Sequence, residues 1–113
     1  VSPKKTHWTA EITPNLHGSE VVVAGWVAHL GDYGRVKIVK VSDREGGAAV
    51  PVYLERGKTP DHLFKVFAEL SREDVVVIKG IVEAGWPVAL DTGVEIFPSE
   101  IWILNKAKPL PID

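Results

Sequence analysis

The sequence predicts an all-β fold with one helix, in which five short strands close into a small barrel. Five segments are rich in β-branched residues and are bounded by turn residues, as strands are. One further segment, between the third and fourth strands, repeats its apolar residues at helical spacing. The strands do not alternate with helices, so a parallel sheet is not expected, and closure would hide the edges of so short a sheet.

The composition favours one domain that folds without cross-links or metal. A chain of 113 residues can bury roughly two thirds of its unfolded surface in a single core. It has no cysteine, and its 4 histidines do not have the spacing of a zinc site, so no metal or cofactor is expected. No apolar run reaches the ~20 residues that span a membrane. We therefore expect a monomeric domain over residues 1–113 with no membrane partner.

The first strand follows an N-terminal extension, residues 1–19, that contains one short helical turn. Thr13 followed by Pro14 is the start signal of this turn. The strand itself is predicted over residues 20–30. Gly25 interrupts its apolar run and predicts a bulge or a sharp bend.

The stretch GWVAHLGDYGRVKIVKVSD contains the end of the first strand, a tight turn and a second strand over residues 36–42. Side chains alternate between the two faces of a strand, so this hairpin presents two different sets of residues. The core is expected to hold Trp26, Ala28, Leu30, Val39 and Val41, together with Trp102 from the last strand. The opposite face holds His29, Gly31, Ile38, Lys40 and Ser42.

The third strand is predicted over residues 48–54. Pro51 has no N–H to donate, which predicts a free or irregular edge at that position. The inward residues are expected to be Ala48, Val50, Val52 and Leu54. The outward residues are expected to be Ala49, Pro51 and Tyr53.

The helix is predicted over about residues 60–70, after a second start signal at Thr59. The fourth and fifth strands are predicted over residues 74–82 and 93–105, the fifth with a bend at Pro98. These elements are typical of the OB type of Greek-key barrel, which has five strands and binds ligands on strands two and three. The flanking loops, between strands one and two and between strands four and five, complete that ligand face.

The two ends of the chain favour a domain taken from a longer protein. Residues 106–113 are rich in proline and lack a core pattern, so we expect a truncated linker. The first residue is Val rather than Met, which fits the same interpretation.

Charge and motifs weigh against two functional classes. The formal net charge is −2, whereas a free-standing nucleic-acid binder is usually basic. No nucleophile elbow, phosphate-binding glycine loop or local histidine–carboxylate motif is present. We expect neither enzyme activity nor tight binding of RNA.

The loop EAGWPVALDTG, residues 83–93, indicates a protein partner instead. A loop that contacts phosphates should be rich in Lys or Arg, but here the interior charge is Asp91. Tyrosine, tryptophan and arginine are the usual anchors of protein interfaces. Two plainer interpretations stay open: Trp86 caps the barrel, or Tyr33 is an ordinary surface aromatic. The predicted protein-binding face comprises His29, Tyr33, Arg35, Ile38, Lys40, Ser42, Tyr53, Arg56, Trp86, Pro87, Val88, Leu90 and Asp91.

Nearly the whole chain resembles the N-terminal anticodon-binding domain of archaeal-type aspartyl-tRNA synthetases. The segments that carry the resemblance are THWTAEITPNLHG, VVVAGWV, DREG, LFKVFAELSREDVVVIKGIV, VEIFPSEIWILN and PLPID. The resemblance implies an OB barrel that, in the parent enzyme, recognises the tRNA anticodon loop in the cytoplasm.

The family's RNA contacts are altered in this sequence. The family places an arginine several residues before a base-stacking phenylalanine, an arginine just before the aspartate of the DREG-like turn, and a glutamine shortly after it. Those places here carry Gly31, Ile38, Ser42 and Ala49. Because base stacking contributes roughly 1 to 3 kcal/mol per base, weak or no tRNA binding is expected.

OB domains of this type have been used as scaffolds for engineered binding proteins, in which the sheet face and adjoining loops are varied. This resemblance implies an engineered binder of a folded protein, acting through strands one to three and the loop between strands four and five. Lysozyme is a candidate target because scaffolds of this class have been directed at it. The alternative is an unmodified tRNA anticodon-binding domain.

Overall fold

The computed structural model describes residues 2–84 and 93–107. The elements are β1 (Glu20–Asp32), β2 (Val36–Ser42), β3 (Val50–Glu55), α1 (His62–Glu69), β4 (Val75–Ala84) and β5 (Val94–Asn105). The strands form one closed sheet in the order β1-β2-β3-β5-β4, and the helix α1 lies between β3 and β4 in the chain. Neighbouring strands are antiparallel except β3 and β5, which are parallel and joined at Val52 and Ile96. This five-stranded barrel with one helix confirms the predicted fold class.

The prediction for the start of β3 is wrong by two residues. Ala48 is exposed rather than inward, and pairing begins at Val50. The inward assignment of Val50, Val52 and Leu54 is confirmed, since these side chains are at most 2% exposed. Pro51 lies where β3 has a single bridge to β5, which agrees with the irregular edge that was predicted there.

Trp26 does not lie in the core, contrary to the sequence-based expectation. Val23 and Val27 are fully buried, while Trp26 is half-buried on the outer surface, opposite Ser42. A bulge at Ala28, between Val27 and His29, then changes which residues face inward. Beyond the bulge the alternation agrees with the prediction, and Leu30 packs against the core. Ala28 itself is the extra residue and is half-buried.

Gly25 lies at a bend, which is one of the two alternatives that the sequence predicted there, while the bulge of β1 is at Ala28. β1 pairs with β4 up to Trp26 and with β2 from Trp26 onward, so the strand turns from one neighbour to the other beside Gly25. A Cβ at Gly25 would collide with the backbone carbonyl of Ser42. The glycine therefore allows close approach of two backbones at the bend.

Trp102 is likewise outside the core. A second irregularity, between Lys79 and Gly80, leaves Ser99 of β5 as an extra residue just after Pro98. This shift places Ile101 and Ile103 against the core and turns Trp102 to the outer surface, opposite Val77 of β4. The irregularity predicted at Pro98 is present. The sequence did not predict that it changes which side chains of β5 face the core.

Helix α1 closes one end of the barrel. Its Leu63 and Phe64 are buried in the same core as the strands. Thr59 does not cap the helix with its hydroxyl, as the sequence suggested; its Oγ1 accepts a hydrogen bond of 2.9 Å from the N–H of Glu55. Thr59 thus closes the turn after β3, and Asp61 occupies the N-cap position.

The N-terminal extension is tied to the barrel rather than loose. The predicted turn is a short 3-10 helix at Pro14–Leu16, and a second one occurs at Thr9–Glu11. Thr9 donates from its N–H and its hydroxyl to the two carboxylate oxygens of Asp43, at 2.7 and 2.8 Å. Asp43 is the aspartate of the DREG turn, so this turn anchors the extension.

Asp74 ties the last described residues to the start of β4. Its buried carboxylate accepts hydrogen bonds from the N–H of Ser71, the N–H of Ala107 and Nζ of Lys106. Burial alone would raise the pKa of Asp74, but these donors together hold it below its ordinary value. Residues 106 and 107 therefore belong to the packed barrel, whereas the remainder of the predicted linker lies outside the described residues.

Candidate functional site

A row of mainly apolar residues crosses the outer surface of four strands. Gly31 of β1 lies opposite Ile38 of β2, and Ile38 lies opposite Tyr53 of β3. The ring of Tyr53 packs against Phe97 of β5, with centroids 5.1 Å apart and an interplanar angle of 54°. We call these four residues the apolar row. Ile38 and Phe97 are half-buried, whereas Gly31 is buried and Tyr53 is 6% exposed. The tyrosine predicted to face a partner is therefore largely covered, and the accessible apolar surface of this row comes from Ile38 and Phe97.

Tyr33, in the turn between β1 and β2, extends the apolar row. A Cβ added to Gly31 would lie 2.8 Å from the Tyr33 ring, so the ring lies directly over this glycine. Tyr33 is 67% exposed and is therefore accessible to a partner. A long side chain at position 31, such as the arginine that the family resemblance places there, would displace the tyrosine from this position.

The turn that carries Tyr33 is held by Asp32. Lys37 Nζ and the N–H of Gly34 donate to Oδ1 of Asp32, at 2.7 and 3.0 Å. These two hydrogen bonds, with that of Lys37 the stronger influence, lower the pKa of Asp32. The tyrosine N–H donates to the carbonyl of Val36 at 2.8 Å, so its backbone is fixed although its ring is exposed.

A second, more polar row lies beside the apolar row. His29 of β1 is opposite Lys40 of β2, and Lys40 is opposite Pro51 of β3. Glu95 of β5 immediately precedes Ile96, the bridge partner of Val52, so the parallel register places Glu95 beside Pro51. We call these four residues the polar row. The two rows together form the binding face.

Glu95 has an unusual environment for a carboxylate. It is 1% exposed, and its Oε2 has no hydrogen-bond partner within the described part of the chain. The residue opposite it on β4 is another carboxylate, Glu83. Burial, and secondarily the negative charge of Glu83, raise the pKa of Glu95 to about 7.

Several residues predicted for the site have other positions. Ser42 is 6% exposed, and its hydroxyl donates to the carbonyl of Arg44 at 3.0 Å, which makes it a structural residue. The Arg56 guanidinium lies 3.9 Å from the ring centroid of Phe64 in α1, away from the apolar row. Arg35 is exposed in the turn after Tyr33.

Ala49 is half-buried just before β3 begins and is not a member of either row. Trp86, Pro87, Val88, Leu90 and Asp91 lie outside the described residues.

Sequence reasoning missed the contribution of β4 and β5 to this face. Glu83, Glu95 and Phe97 were not among the predicted site residues. The pattern VEIF did contain a signal, because an isolated glutamate and a phenylalanine alternate with two core residues, Val94 and Ile96. Their position beside β3 depends on the parallel pairing, which no local pattern in the sequence predicts.

Within residues 2–84 and 93–107, no group of three or more His, Asp or Glu side chains is placed to hold a metal ion. Within the same residues, no helix has the length and apolar character needed to cross a membrane.

Comparison with known proteins identifies natural relatives. Residues 21–104 match the family of anticodon-type OB-fold nucleic acid binding domains. The chain is 79% identical over 111 residues to an aspartate–tRNA(Asp) ligase of Pyrobaculum aerophilum, covering 98% of this chain and 25% of that protein. It is 42% identical over 110 residues to the corresponding ligase of Pyrococcus abyssi, covering 96% of this chain and 24% of that one. The chain thus spans about a quarter of the length of these ligases.

Solved structures similar to this chain include both OBodies in complex with a protein and an aminoacyl-tRNA synthetase. OBody AM3L09 bound to hen egg-white lysozyme is 94% identical, with a TM-score of 0.90, and the match covers 94% of this chain and 100% of that chain. OBody AM2EP06 bound to hen egg-white lysozyme is 92% identical, with a TM-score of 0.91 and coverage of 95% and 99%. Asparaginyl-tRNA synthetase from Pyrococcus horikoshii, at 24% identity and a TM-score of 0.79, shares the fold; the match covers 99% of this chain and 25% of that one.

Proposed function

The chain belongs to the OB-fold nucleic acid binding domains of the anticodon-binding type, and we propose that it is an engineered member that binds a folded protein, with lysozyme as target. One observation carries this proposal. The chain is 94% identical to an OBody bound to hen egg-white lysozyme but 79% identical to the natural ligase domain. It therefore differs more from the natural domain than from the engineered binder.

The composition of the binding face supports a protein partner. Ile38 and Phe97 provide half-exposed apolar surface on either side of the buried Tyr53 ring, and the exposed Tyr33 extends it at the turn. Aromatic anchors surrounded by contacts that exclude water are where interface energy concentrates. The sequence-based assignment of Trp86 as an anchor on the adjoining loop is part of this proposal.

The same face is poorly suited to an anticodon loop. Ile38 occupies the place where the family resemblance expects a phenylalanine for base stacking, and Gly31 occupies that of an arginine. Base stacking and contacts to phosphates supply most of the affinity for single-stranded nucleic acid. The proposed activity is binding alone, by a monomer, without an enzymatic step.

The experiment is an alanine scan of the binding face against hen egg-white lysozyme, read as the dissociation constant. We expect Tyr33→Ala, Ile38→Ala and Trp86→Ala each to weaken binding by about 10-fold or more, because interface energy is concentrated in a few such anchors. Leu104→Ala is the control, because Leu104 is 53% exposed but lies on β5 away from both rows. The melting temperature of each variant separates loss of contact from loss of fold.

Absence of lysozyme binding by the unsubstituted chain would refute the choice of target. Equal loss of affinity in Leu104→Ala and in the face variants would refute the assigned face. A fall in melting temperature without loss of affinity in Trp86→Ala would show that this tryptophan caps the barrel.

A further inference from the structure

Asp32 is the last residue of β1 and directly precedes the exposed Tyr33. One oxygen of its carboxylate, Oδ1, accepts hydrogen bonds from the N–H of Gly34 and from Nζ of Lys37. The first bond reaches across Tyr33 to the backbone two residues on, as an aspartate commonly does at the start of a turn. The second joins the turn to β2, because Asp32 and Lys37 are paired in register. The carboxylate therefore spans the turn that contains Tyr33.

Lys37 is a better partner for this carboxylate than an ordinary surface lysine. An exposed ion pair usually contributes little, because two long side chains must be held in one geometry. The side chain of Lys37, however, is only 13% exposed, and its Nζ lies 5.4 Å from the centroid of the Phe67 ring of α1. The ammonium group is thus held by the helix on one side and by Asp32 on the other.

The backbone of the turn has little else to hold it. Gly34 has a φ of 81°, which glycine adopts as readily as several other conformations. The N–H of Tyr33 donates to the carbonyl of Val36 at 2.8 Å, but this bond does not involve the amide of Gly34. The bond to Asp32 is the one that fixes the peptide group after Tyr33.

The ring of Tyr33 depends on this backbone for its position. Its hydroxyl has no hydrogen-bond partner within residues 2–84 and 93–107. The ring lies over Gly31, where a Cβ would be 2.8 Å from it, and Gly31 is opposite Ile38 of the apolar row. The conformation of the turn therefore determines whether the ring stands at the end of the apolar row.

We propose that Asp32 is a positioning residue for the binding of the protein partner: its carboxylate holds the turn in the conformation that places the Tyr33 ring over Gly31. This inference rests on the proposed function, because it takes Tyr33 as one of the anchors of the binding face. Asp32 acts through Tyr33 and not by touching the partner.

A positioning role has a particular kinetic signature. A partner binds those molecules in which Tyr33 is already in place, so the apparent association rate is proportional to their fraction. Without the carboxylate the turn adopts other conformations, and this fraction falls. In the complex the partner itself holds Tyr33, so the dissociation rate changes little. Loss of a direct contact would instead speed dissociation.

The test measures association and dissociation rates for hen egg-white lysozyme by surface plasmon resonance. The variants are Asp32→Ala, Asp32→Asn, Tyr33→Ala, the double variant Asp32→Ala with Tyr33→Ala, and Asp61→Ala. Asp61 is the matched control because it is an exposed aspartate at the start of α1, outside both rows, whose side chain makes no capping hydrogen bond. The melting temperature of each variant shows that it is folded.

We expect Asp32→Ala to slow association by about 3- to 10-fold and to change dissociation by less than about 2-fold. Asp32→Asn should slow association less, because its amide oxygen can still accept from the N–H of Gly34 although the charge attraction to Lys37 is lost. In the Tyr33→Ala background, Asp32→Ala should have no further effect. Asp61→Ala should follow the unsubstituted chain.

Unchanged rates in Asp32→Ala would overturn the inference while leaving lysozyme binding intact. Faster dissociation with unchanged association would also overturn it, because Asp32 would then contact lysozyme directly. The same holds if Asp32→Ala slows association equally in the Tyr33→Ala background, or if Asp61→Ala has an equal effect, since the cause would then be overall charge. No measurable binding by the unsubstituted chain would overturn the inference and the proposed function together.

Discussion

Ile78 and Ile38 are the same side chain in two environments of the barrel. Ile78 of β4 is fully buried in the core, whereas Ile38 of β2 is half-buried in the apolar row. Removing a core side chain loses its burial and leaves a cavity, while the outer site is open to solvent. The two positions therefore separate the stability of the fold from the energy of binding.

We expect Ile78→Ala to lower the free energy of unfolding by about 2 to 5 kcal/mol, and Ile38→Ala to lower it by about 1 kcal/mol or less. Denaturant titration of both variants measures the difference. Similar losses would mean that Ile38 is packed as a core residue and that the assigned faces of β2 are wrong.

Glu95 also makes the stability of the free protein depend on pH. Its folded pKa of about 7 exceeds its ordinary value of 4.5, so the folded state holds more protons than the unfolded state between these values. Stability should therefore be greatest below about pH 4.5 as far as this group is concerned, and should fall as pH rises to about 7.

Glu95→Gln should remove this fall and stabilise the protein by on the order of 1 to 3 kcal/mol above neutral pH. Denaturant titrations of the two proteins across the acidic and neutral range provide the measurement. If both lose the same free energy of unfolding over that range, Glu95 is not the group responsible.

At the level of elements, β1 depends on two glycines whose surroundings differ. A Cβ at Gly25 would meet the backbone carbonyl of Ser42, which cannot move without separating β1 from β2. A Cβ at Gly31 would meet the ring of Tyr33, an exposed side chain that can rotate away. The first glycine serves the fold, and the second leaves room for a residue of the binding face.

We expect Gly25→Ala to lower the free energy of unfolding by about 2 kcal/mol or more, and Gly31→Ala to change it by less than about 1 kcal/mol. Gly31→Ala should instead weaken lysozyme binding, because it displaces Tyr33. Thermal unfolding and a binding titration on both variants measure the two effects. A stable Gly25→Ala variant would show that the approach of β1 to β2 is not constrained at this residue.

For the whole molecule, net charge determines which class of partner the barrel can hold. The chain has 13 basic and 15 acidic residues, which gives a formal charge of −2. A phosphate backbone is held mainly by Lys and Arg, and such binding weakens steeply as salt is added. An interface anchored by aromatic side chains depends less on salt.

An anticodon-loop RNA should accordingly bind weakly at low salt and be lost at physiological salt, whereas lysozyme binding should persist. Fluorescence anisotropy with labelled RNA at the two salt concentrations checks this, with the matching domain of the Pyrobaculum aerophilum ligase as the natural control. Equal RNA affinity of the two domains would favour the anticodon-binding alternative.

Local patterns were enough to locate the strands and the helix. Runs of valine and isoleucine predicted β2, β4 and β5 to within about two residues, because β-branched side chains and flanking turn residues act over short distances. Their number, with the helix after β3, then indicated the closed barrel. The hairpin face with Gly31, Ile38 and Lys40 followed from simple alternation beyond the bulge in β1.

The tertiary structure alone decided the outer positions of Trp26 and Trp102, and the place of Glu95 on the binding face. The bulge at Ala28 and the extra residue at Ser99 each change which of the following side chains in their strand face inward. Both irregularities depend on how the strand pairs with its neighbour. Glu95 joins the face only because β5 closes the barrel beside β3, a contact between residues about 40 positions apart in the sequence. Such pairings result from burying the whole core, which is why the sequence determined the elements and the assembled barrel determined the site.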